Sequence, residues 1–329
     1  MAGLKKPFSP RLLMLSVVKM NPSVAIIDIG SNTIKLLVAA RDESGRPTER
    51  ATKTIDARIG TGISQEPPRL SEAGMSVGVA AVGDLLATAA PLAPTQTILV
   101  ATSAVRSAAN GAEFCARVRA ATGHDIRILT GDEEANLIGA GLLCDPALAN
   151  LRDFYVFDLG GGSLECLAFR ARRMAQETSL PLGCVRLTEK FVAQPAAPFS
   201  AGARTAIAAH VKHALAGSNF SFTLTGASAI FAGGSVTTVR AIFAARHGKN
   251  LREISPVVTV PELAALLNRV APLSLEERKK TAGLPPARAD VFPTALATIL
   301  AVAETAGLNE FRHSFYNLRW GLAAEALKR

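Results

Sequence analysis

The chain contains 329 residues, of which 49% are hydrophobic and 5% aromatic, and it carries a formal net charge of +9 at pH 7. The length favours two domains, and the low aromatic content argues against a nucleic-acid surface built on base stacking. Lysines and arginines are scattered, so the positive charge suits an anionic small molecule or a polyanion about as well as nucleic acid, and it also promotes solubility.

The first segment, residues 1–23, reads MAGLKKPFSPRLLMLSVVKMNPS. Its apolar run at residues 12–18 contains a serine and is too short for a membrane span or a signal-peptide core. We therefore predict a flexible, basic extension and no association with a membrane.

Two stretches in different halves of the chain share one pattern: an apolar strand, an Asp-x-Gly turn and a second apolar strand. AIIDIGSNTIKLLVA (25–39) and YVFDLGGGSLECLAF (155–169) align without a gap, which places Asp28 on Asp158 and Gly30 on Gly160, 130 residues apart. The repeat predicts a duplicated domain in which each half presents one hairpin turn to a shared cleft.

Strand and helix patterns alternate between and after these two stretches. In the first half, periodicity predicts helices over 70–90, 111–123 and 131–143 and strands over 97–102 and 126–130. In the second half, residues 222–248 read as a strand, a Gly-Gly-Ser turn and a helix, and residues 258–306 are almost wholly helical in pattern. Such alternation predicts the α/β fold class.

The glycine-rich turns are candidate phosphate-binding sites, because glycine lets the backbone approach an anion and successive N–H groups form an anion-binding nest. The first two turns also contain side-chain hydrogen-bond donors, namely Ser31, Asn32, Thr33 and Ser163. Unlike a P-loop, the first two turns enter strands rather than helices. The residues that we predict to bind phosphate in the three turns are Gly30, Ser31, Asn32, Thr33, Gly160, Gly161, Gly162, Ser163, Gly233, Gly234 and Ser235.

Three carboxylates lie beside the first two turns. Asp28 and Asp158 would repel a phosphate unless a divalent cation lay between them, and Mg²⁺ typically uses one or two carboxylates with waters and phosphate oxygens. For either aspartate alone, capping of the turn is the alternative. Glu165 follows in an apolar strand, where an unpaired charge would be costly, so a metal-bound water or an arginine is expected beside it.

Glu134 lies near the start of the helix predicted over 131–143. Thr130 and Glu133 form a capping-box pattern, which gives Glu133 a structural role. Glu134 instead shares the apolar face with Leu137 and Ile138, which favours a general base, with a buried structural ion pair as the alternative. Burial would raise its pKa and the helix N-terminus would lower it.

Two arginines and the cysteines leave alternatives open. Arg106 and Arg186 can each bind phosphate through a planar guanidinium or remain solvated. The four cysteines show no C-x-x-C pair, and His210 and His213 lack further ligands, so we expect reduced thiols in a cytoplasmic protein and no zinc site.

The sequence resembles one known family. Seven blocks occur in the order found in the exopolyphosphatase/guanosine pentaphosphate phosphohydrolase (Ppx/GppA) family of the actin/sugar kinase/Hsp70 superfamily: IIDIGSNTIKLLV, ATSAVRSAAN, ILTGDEEANLIGAG, VFDLGGGSLE, LPLGCVRLTEKF, AGGSVTTVRAI and LPPARADVFPTALATIL. The resemblance covers residues 24–329 and is closest to the short, two-domain members. It implies two ribonuclease H-like domains, 24–136 and 137–306, with an interdomain active site and a C-terminal helix at 307–329 that packs back on the first domain.

The resemblance also assigns roles. It matches Glu134 to the catalytic glutamate, Asp158 and Glu165 to acidic residues associated with the metal, and Arg106 to an arginine at the phosphate end of the cleft. Leu164, the GGSVTT turn and the SFYNLRWGLA segment depart from the usual family pattern without removing a predicted catalytic group.

The implied function is hydrolysis of terminal phosphoanhydride bonds with Mg²⁺ or another divalent cation. The implied substrate is inorganic polyphosphate or guanosine pentaphosphate. A non-catalytic sensor of either ligand is an alternative from another class, and a sugar kinase or actin-like ATPase is a more distant one. Members of the family are often dimers, so the resemblance allows a homodimer without predicting it, and the cytoplasmic location follows from the reduced cysteines.

Overall fold

The computed structural model describes residues 22–224 and 226–328. Most of the extension predicted at the N-terminus lies outside these residues. Its last predicted residue, Ser23, already belongs to the first strand, so the extension ends earlier than expected.

The first half of the chain forms a five-stranded sheet with helices packed against it. The strands follow the order β3-β2-β1-β4-β5, in which β1, β2 and β3 are antiparallel and β4 and β5 run parallel to β1. The strands are β1 (Ser23–Ile29), β2 (Ile34–Arg41), β3 (Pro47–Ile55), β4 (Gln96–Ala101) and β5 (Ile126–Ile128), and the helices are α1 (Glu72–Ala89), α2 (Ser103–Ser107) and α3 (Gly111–Thr122). The helix predicted over 111–123 therefore ends as expected, at a glycine in left-handed conformation, Gly123.

The helix α4 (Gly131–Leu142) connects the two halves of the chain. Thr130 caps it, and the predicted capping box with Glu133 forms. Its apolar face packs against the second sheet. The inward side chains of Leu137 and Ile138 belong to a core cluster that contains residues of both sheets.

The second half forms a six-stranded sheet with the order β10-β11-β9-β6-β7-β8. Its strands are β6 (Phe154–Leu159), β7 (Leu164–Arg170), β8 (Arg173–Leu180), β9 (Ser228–Ala232), β10 (Val257–Thr259) and β11 (Glu310–His313). Its helices are α5 (Cys184–Phe191), α6 (Ala201–Ala216), α7 (Gly234–Arg246), α8 (Val260–Val270), α9 (Leu275–Lys279), α10 (Phe292–Thr305) and α11 (Leu318–Lys328).

The first sheet has the same topology as five of the six strands of the second, and β10 is an additional edge strand. In each, a three-stranded antiparallel meander is extended by two parallel strands, so β3-β2-β1-β4-β5 corresponds to β8-β7-β6-β9-β11. This equivalence confirms the prediction of two duplicated ribonuclease H-like domains. The boundary after residue 136 stays a prediction, and it falls within the continuous helix α4.

The C-terminal segment differs from the single helix expected over 307–329. Residues 310–313 form β11 and extend the second sheet beyond the boundary expected at 306, because this strand pairs with β9 and β10. Only α11 packs back on the first sheet, where it contacts β1, β2 and β3.

Helix α1 and its following turn, Glu72–Leu92, form the one stretch within residues 22–224 and 226–328 that is long and apolar enough to span a membrane by composition. It packs in the core of the first domain through Met75, Val82 and Leu85. Packing of this kind identifies it as a helix of that core.

Helices α4 and α11 pack backbone against backbone. A Cβ atom on Gly141 would overlap the carbonyl oxygen of Asn317, and one on Gly321 would overlap the carbonyl oxygen of Leu137. This contact holds the start of α11 close to the cleft between the domains.

Gly141→Ala should lower the free energy of unfolding by about 1–3 kcal/mol, because the added methyl group forces the two helices apart. Gly83→Ala is the matched control, since a Cβ at this position of α1 meets no atom within 4 Å. It should raise stability by about 0.4–1 kcal/mol through backbone entropy. Urea unfolding of both variants measures the difference, and effects of the same sign would contradict the proposed packing.

Candidate active site

The cleft between the two domains collects nearly all the predicted site residues. Loop residues at the ends of β1, β6 and β9 line it together with α4 and the segment before α11. Of the predicted residues, the lining includes Asp28, Gly30, Ser31, Asn32, Thr33, Glu134, Asp158, Gly160, Gly161, Gly162, Ser163, Glu165, Gly233 and Gly234. Arg106 and Ser235 are the two predicted residues that do not line it.

The first two turns are built alike and face each other. The N–H group of Gly30 donates to the Thr33 carbonyl at 3.1 Å, and that of Gly160 donates to the Ser163 carbonyl at 3.0 Å. A Cβ on Gly161 would lie 2.9 Å from the Cβ of Ser31. Glycine is therefore required here by the close approach of the turns.

The third glycine turn leads into a helix rather than a strand. Gly233 has φ +92°, and a Cβ there would lie 2.5 Å from Oδ1 of Asp158. It caps α7 without a side-chain hydrogen bond, so the first N–H groups of this 13-residue helix are free to bind an anion. Ser235 is 3% exposed and points away from the lining, beside the thiol of Cys184.

The amide of Asn32 is a buried polar group without a protein partner. The residue is 3% exposed, and neither Nδ2 nor Oδ1 makes a hydrogen bond within the part of the chain that the structure describes. An unpaired amide is costly in a folded protein, which indicates that it meets a polar ligand or water in the cleft.

Two cross-strand pairs place charges on the cleft floor. Asp28 is paired with Lys35 in the first hairpin, and Asp158 with Glu165 at the equivalent position of the second. Burial raises the pKa of Asp158 to about 6, with Lys35 opposing and Asp28 adding to this shift. Burial likewise raises the pKa of Asp28.

Glu165 is the most deeply buried of the carboxylates, at 2% exposure. Burial raises its pKa well above the ordinary value, and the nearby charges of Glu134 and Asp158 raise it further. The hydroxyl of Ser179 donates to its Oε1 at 2.8 Å. The predicted arginine partner is absent from its described hydrogen bonds.

Sequence reasoning assigned no role to three cations around the cleft. Lys35 and Arg288 line the cleft, and Arg319 lies close enough to lower the pKa of Asp28 and Asp158. A lysine inside an apolar strand was a visible signal for Lys35. Arg288 ends a single 3₁₀ turn, Pro286–Arg288, which is too short to show a periodic pattern, and its place beside Gly234 depends on the tertiary fold.

The acidic groups fit a divalent cation only in part. Within residues 22–224 and 226–328, no cluster of three or more histidine, cysteine, aspartate or glutamate side chains forms a metal site. Asp28, Asp158 and Glu165 are therefore not a preassembled three-ligand site, and their assignment as metal ligands stays a prediction. Oxygen ligands from one or two carboxylates together with phosphate suit Mg²⁺, and the mutual rise in pKa of these carboxylates favours a cation among them.

Glu134 combines burial with a specific partner. It is 7% exposed on the inward face of α4, and Nη1 of Arg106 donates to its Oε2 at 2.9 Å and to the Leu129 carbonyl at 2.7 Å. Burial raises the pKa of Glu134 to about 7, against the opposing charge of Arg106. A carboxylate with this pKa can accept a proton from water near neutral pH.

The loop at residues 58–64 ties the first domain to the second beside the cleft. Arg58 forms an ion pair with Asp290, and Glu189 accepts hydrogen bonds from the N–H groups of Gly62 and Ser64 at 2.7 and 3.0 Å. Arg186, which the sequence left between a phosphate ligand and a solvated side chain, donates to the carbonyls of Gly162 and Ile63 instead.

Glu165→Gln should raise the melting temperature by at least about 2 °C at pH 8 in a chelator. A carboxyl whose pKa is higher in the folded protein reduces stability as pH rises above its unfolded value of 4.5. The increase in melting temperature should therefore become smaller towards pH 4. Differential scanning calorimetry at both pH values measures it, with Glu177→Gln on the exposed face of the adjacent strand as a control that changes little. A lower melting temperature for the Glu165 variant at pH 8 would contradict the reasoning.

Comparisons with known proteins agree with this architecture. The family model described as the Ppx/GppA phosphatase family matches residues 38–329. A guanosine-5'-triphosphate,3'-diphosphate pyrophosphatase of Aeromonas salmonicida is 27% identical over 302 residues, which cover 92% of this chain and 59% of that protein. An uncharacterised protein of Streptomyces coelicolor is 34% identical over 193 residues, which cover 58% of this chain and 56% of that protein. The chain thus spans less than three fifths of the length of these relatives.

Two solved structures show the same fold. An exopolyphosphatase from Cytophaga hutchinsonii superposes with a TM-score of 0.83 at 22% identity, over 93% of this chain and 98% of that one. The Aquifex aeolicus Ppx/GppA enzyme gives a TM-score of 0.74 at 23% identity, over 92% and 99%.

Proposed function

Since this chain belongs to the Ppx/GppA phosphatase family, we propose that it hydrolyses the terminal phosphoanhydride bond of inorganic polyphosphate and releases orthophosphate. The observation that carries the proposal is the position of Glu134, a buried carboxylate with a pKa of about 7 that faces three anion-binding glycine turns. The Cytophaga hutchinsonii structure with the same fold is named an exopolyphosphatase, which supports this choice of substrate.

The cleft residues divide the work between binding and proton transfer. N–H groups of the glycine turns and the cations Lys35 and Arg288 bind the terminal phosphate, which needs little more than positioning and charge neutralisation. Glu134 orients a water molecule in line with the leaving oxygen and accepts its proton. Arg106 holds the Glu134 carboxylate in place.

A divalent cation such as Mg²⁺, held by Asp28 and Asp158 with Glu165 nearby, would neutralise charge on the phosphate oxygens when bound. Without it, the carboxylates would repel the substrate that the glycine turns attract. Loss of phosphate release in a chelator is therefore expected.

Guanosine pentaphosphate is the second candidate substrate. The Aeromonas salmonicida relative that matches 92% of this chain is named for activity on a guanosine nucleotide of this kind, and the same cleft would hold its 5'-terminal phosphate. A non-catalytic sensor is less well supported, since Glu134, Asp158 and Glu165 line one cleft. A cytoplasmic location remains part of the proposal, and the analogy with the family allows a homodimer.

Glu134→Gln should lower kcat/KM for phosphate release by roughly 10²–10⁴, because the amide cannot accept the proton. The assay compares long polyphosphate, triphosphate, guanosine pentaphosphate and ATP, each with Mg²⁺ and with a chelator. Glu133→Gln is the matched control, since the neighbouring side chain is exposed and caps α4. Full activity of the Glu134 variant would show that Glu134 is not the general base. Cleavage of ATP, without cleavage of the other substrates, would favour a sugar kinase or actin-like ATPase function.

The pH dependence of kcat/KM should follow Glu134. The rate should rise about tenfold per pH unit below the pKa of about 7 and level off above it, because only the ionised carboxylate accepts a proton. Arg106→Gln removes the charge that lowers this pKa, so the rising limb should move to higher pH. If the rising limb of the pH profile instead reflected titration of the substrate, it would lie at the same pH in the Arg106 variant as in wild type. That result would contradict the assignment of the limb to Glu134.

A further inference from the structure

A chain of hydrogen bonds runs behind the third glycine turn, on the side away from the cleft. Nη1 of Arg240 lies 2.9 Å from Nδ1 of His313, and Nε2 of His313 lies 3.2 Å from the hydroxyl of Thr237. That hydroxyl donates to the carbonyl oxygen of Gly233 at 3.0 Å. This series of hydrogen bonds thus links β11 to the turn that begins α7.

The direction of every bond in this chain is fixed by chemistry. A guanidinium only donates, so Nδ1 of His313 accepts and its Nε2 carries the proton. Nε2 then donates to Thr237, whose own hydroxyl proton is left for the Gly233 carbonyl. Burial and the charge of Arg240 lower the pKa of His313 to about 3, so the imidazole stays neutral at physiological pH.

His313 and Arg240 are themselves held firmly. Arg240 donates to three backbone carbonyls, those of Leu251, Ile254 and Ser255, and lies over the ring of Phe315 at 5.4 Å. His313 is 4% exposed, and its backbone N–H group donates to the Pro256 carbonyl at 2.7 Å. The chain of bonds therefore starts from a rigid anchor.

The carbonyl at the end of the chain belongs to a peptide unit that lines the cleft. In a planar trans peptide, the carbonyl of Gly233 and the N–H group of Gly234 point in opposite directions. The Gly233 carbonyl also accepts the N–H group of Thr237 at 3.3 Å. The hydroxyl and the backbone N–H group of Thr237 therefore hold the Gly233 carbonyl pointing into the helix. The Gly234 N–H group consequently points away from the helix, towards the cleft.

We propose that Thr237 and His313 are positioning residues, which orient the Gly233–Gly234 peptide so that its N–H group binds the terminal phosphate. This inference rests on the proposed function, because it assumes that the third turn binds phosphate. Neither side chain touches the substrate, and both act through the backbone.

Thr237→Val removes the hydroxyl while keeping the shape of the side chain, and Thr237→Ser retains the hydroxyl. The valine variant should raise KM for triphosphate about five- to tenfold, which corresponds to loss of one hydrogen bond. Its kcat should change by less than about twofold, because the contact is made equally in substrate and transition state. The serine variant should stay within about twofold of wild type in both constants.

Thr298→Val is the matched control. Its hydroxyl makes the same kind of bond, to the carbonyl of Thr294 within buried helix α10, so the substitution should lower the melting temperature without changing KM.

A second pair of variants tests the role of His313. In His313→Gln the amide nitrogen reaches the place of Nε2 and can donate to Thr237, whereas in His313→Asn it cannot, so only the asparagine variant should raise KM strongly.

Isothermal titration with a non-hydrolysable methylene-bridged analogue of triphosphate, in the presence of Mg²⁺, separates this inference from the proposed function. If wild type binds the analogue but releases no phosphate from any substrate, the proposed function fails and the weaker binding of Thr237→Val still supports the inference. If wild type is active and Thr237→Val binds the analogue and turns over triphosphate like wild type, the inference alone fails. Absence of analogue binding by wild type would overturn both.

Discussion

The close approach of the two hairpin turns is the constraint on which the rest of the molecule depends. Gly161 and Gly162 lie so near Ser31 and Ser103 that no side chain fits between them. Two domains can meet at this distance only through glycine backbone, and the contact brings two sets of N–H groups to one point. The anion-binding role that we propose for the cleft thus depends directly on how the domains pack.

Charge on the cleft floor is set by the same packing. Bringing two hairpins together also brings together the aspartates at their ends, and burial raises the pKa of both Asp28 and Asp158. Lys35 and Arg319 compensate part of this negative charge from within the protein. Under the proposed function, the remainder of the negative charge is neutralised by a cation that arrives with the phosphate substrate.

Local patterns predicted the hairpins, the Asp-x-Gly turns and the buried position of Glu134, because strand alternation, turn chemistry and helix periodicity are local properties of the sequence. The duplicated pattern and the family resemblance predicted that the two turns meet in one cleft and that the C-terminal helix packs on the first domain. The individual side-chain partners between distant segments were not predicted. The strand β11, which was expected to be helical, pairs with strands that precede it by some 50 to 80 residues. Arg288 lies beside Gly234 of its own domain, and Arg186 reaches the Ile63 carbonyl only when the domains meet. Position-by-position resemblance to a family identified Arg106, whereas its bond to Glu134 required the structure.

The equivalent pairs Asp28–Lys35 and Asp158–Glu165 have a further consequence. A cleft made from two copies of one hairpin is intrinsically two-fold symmetric, and a symmetric site has no preferred direction for a reacting molecule. With a lysine in one copy and a glutamate in the other, the first hairpin pairs opposite charges and the second pairs two carboxylates. Divergence at this repeat position therefore makes the two sides of the cleft electrostatically unlike, with the excess of carboxylates on the side of the second domain.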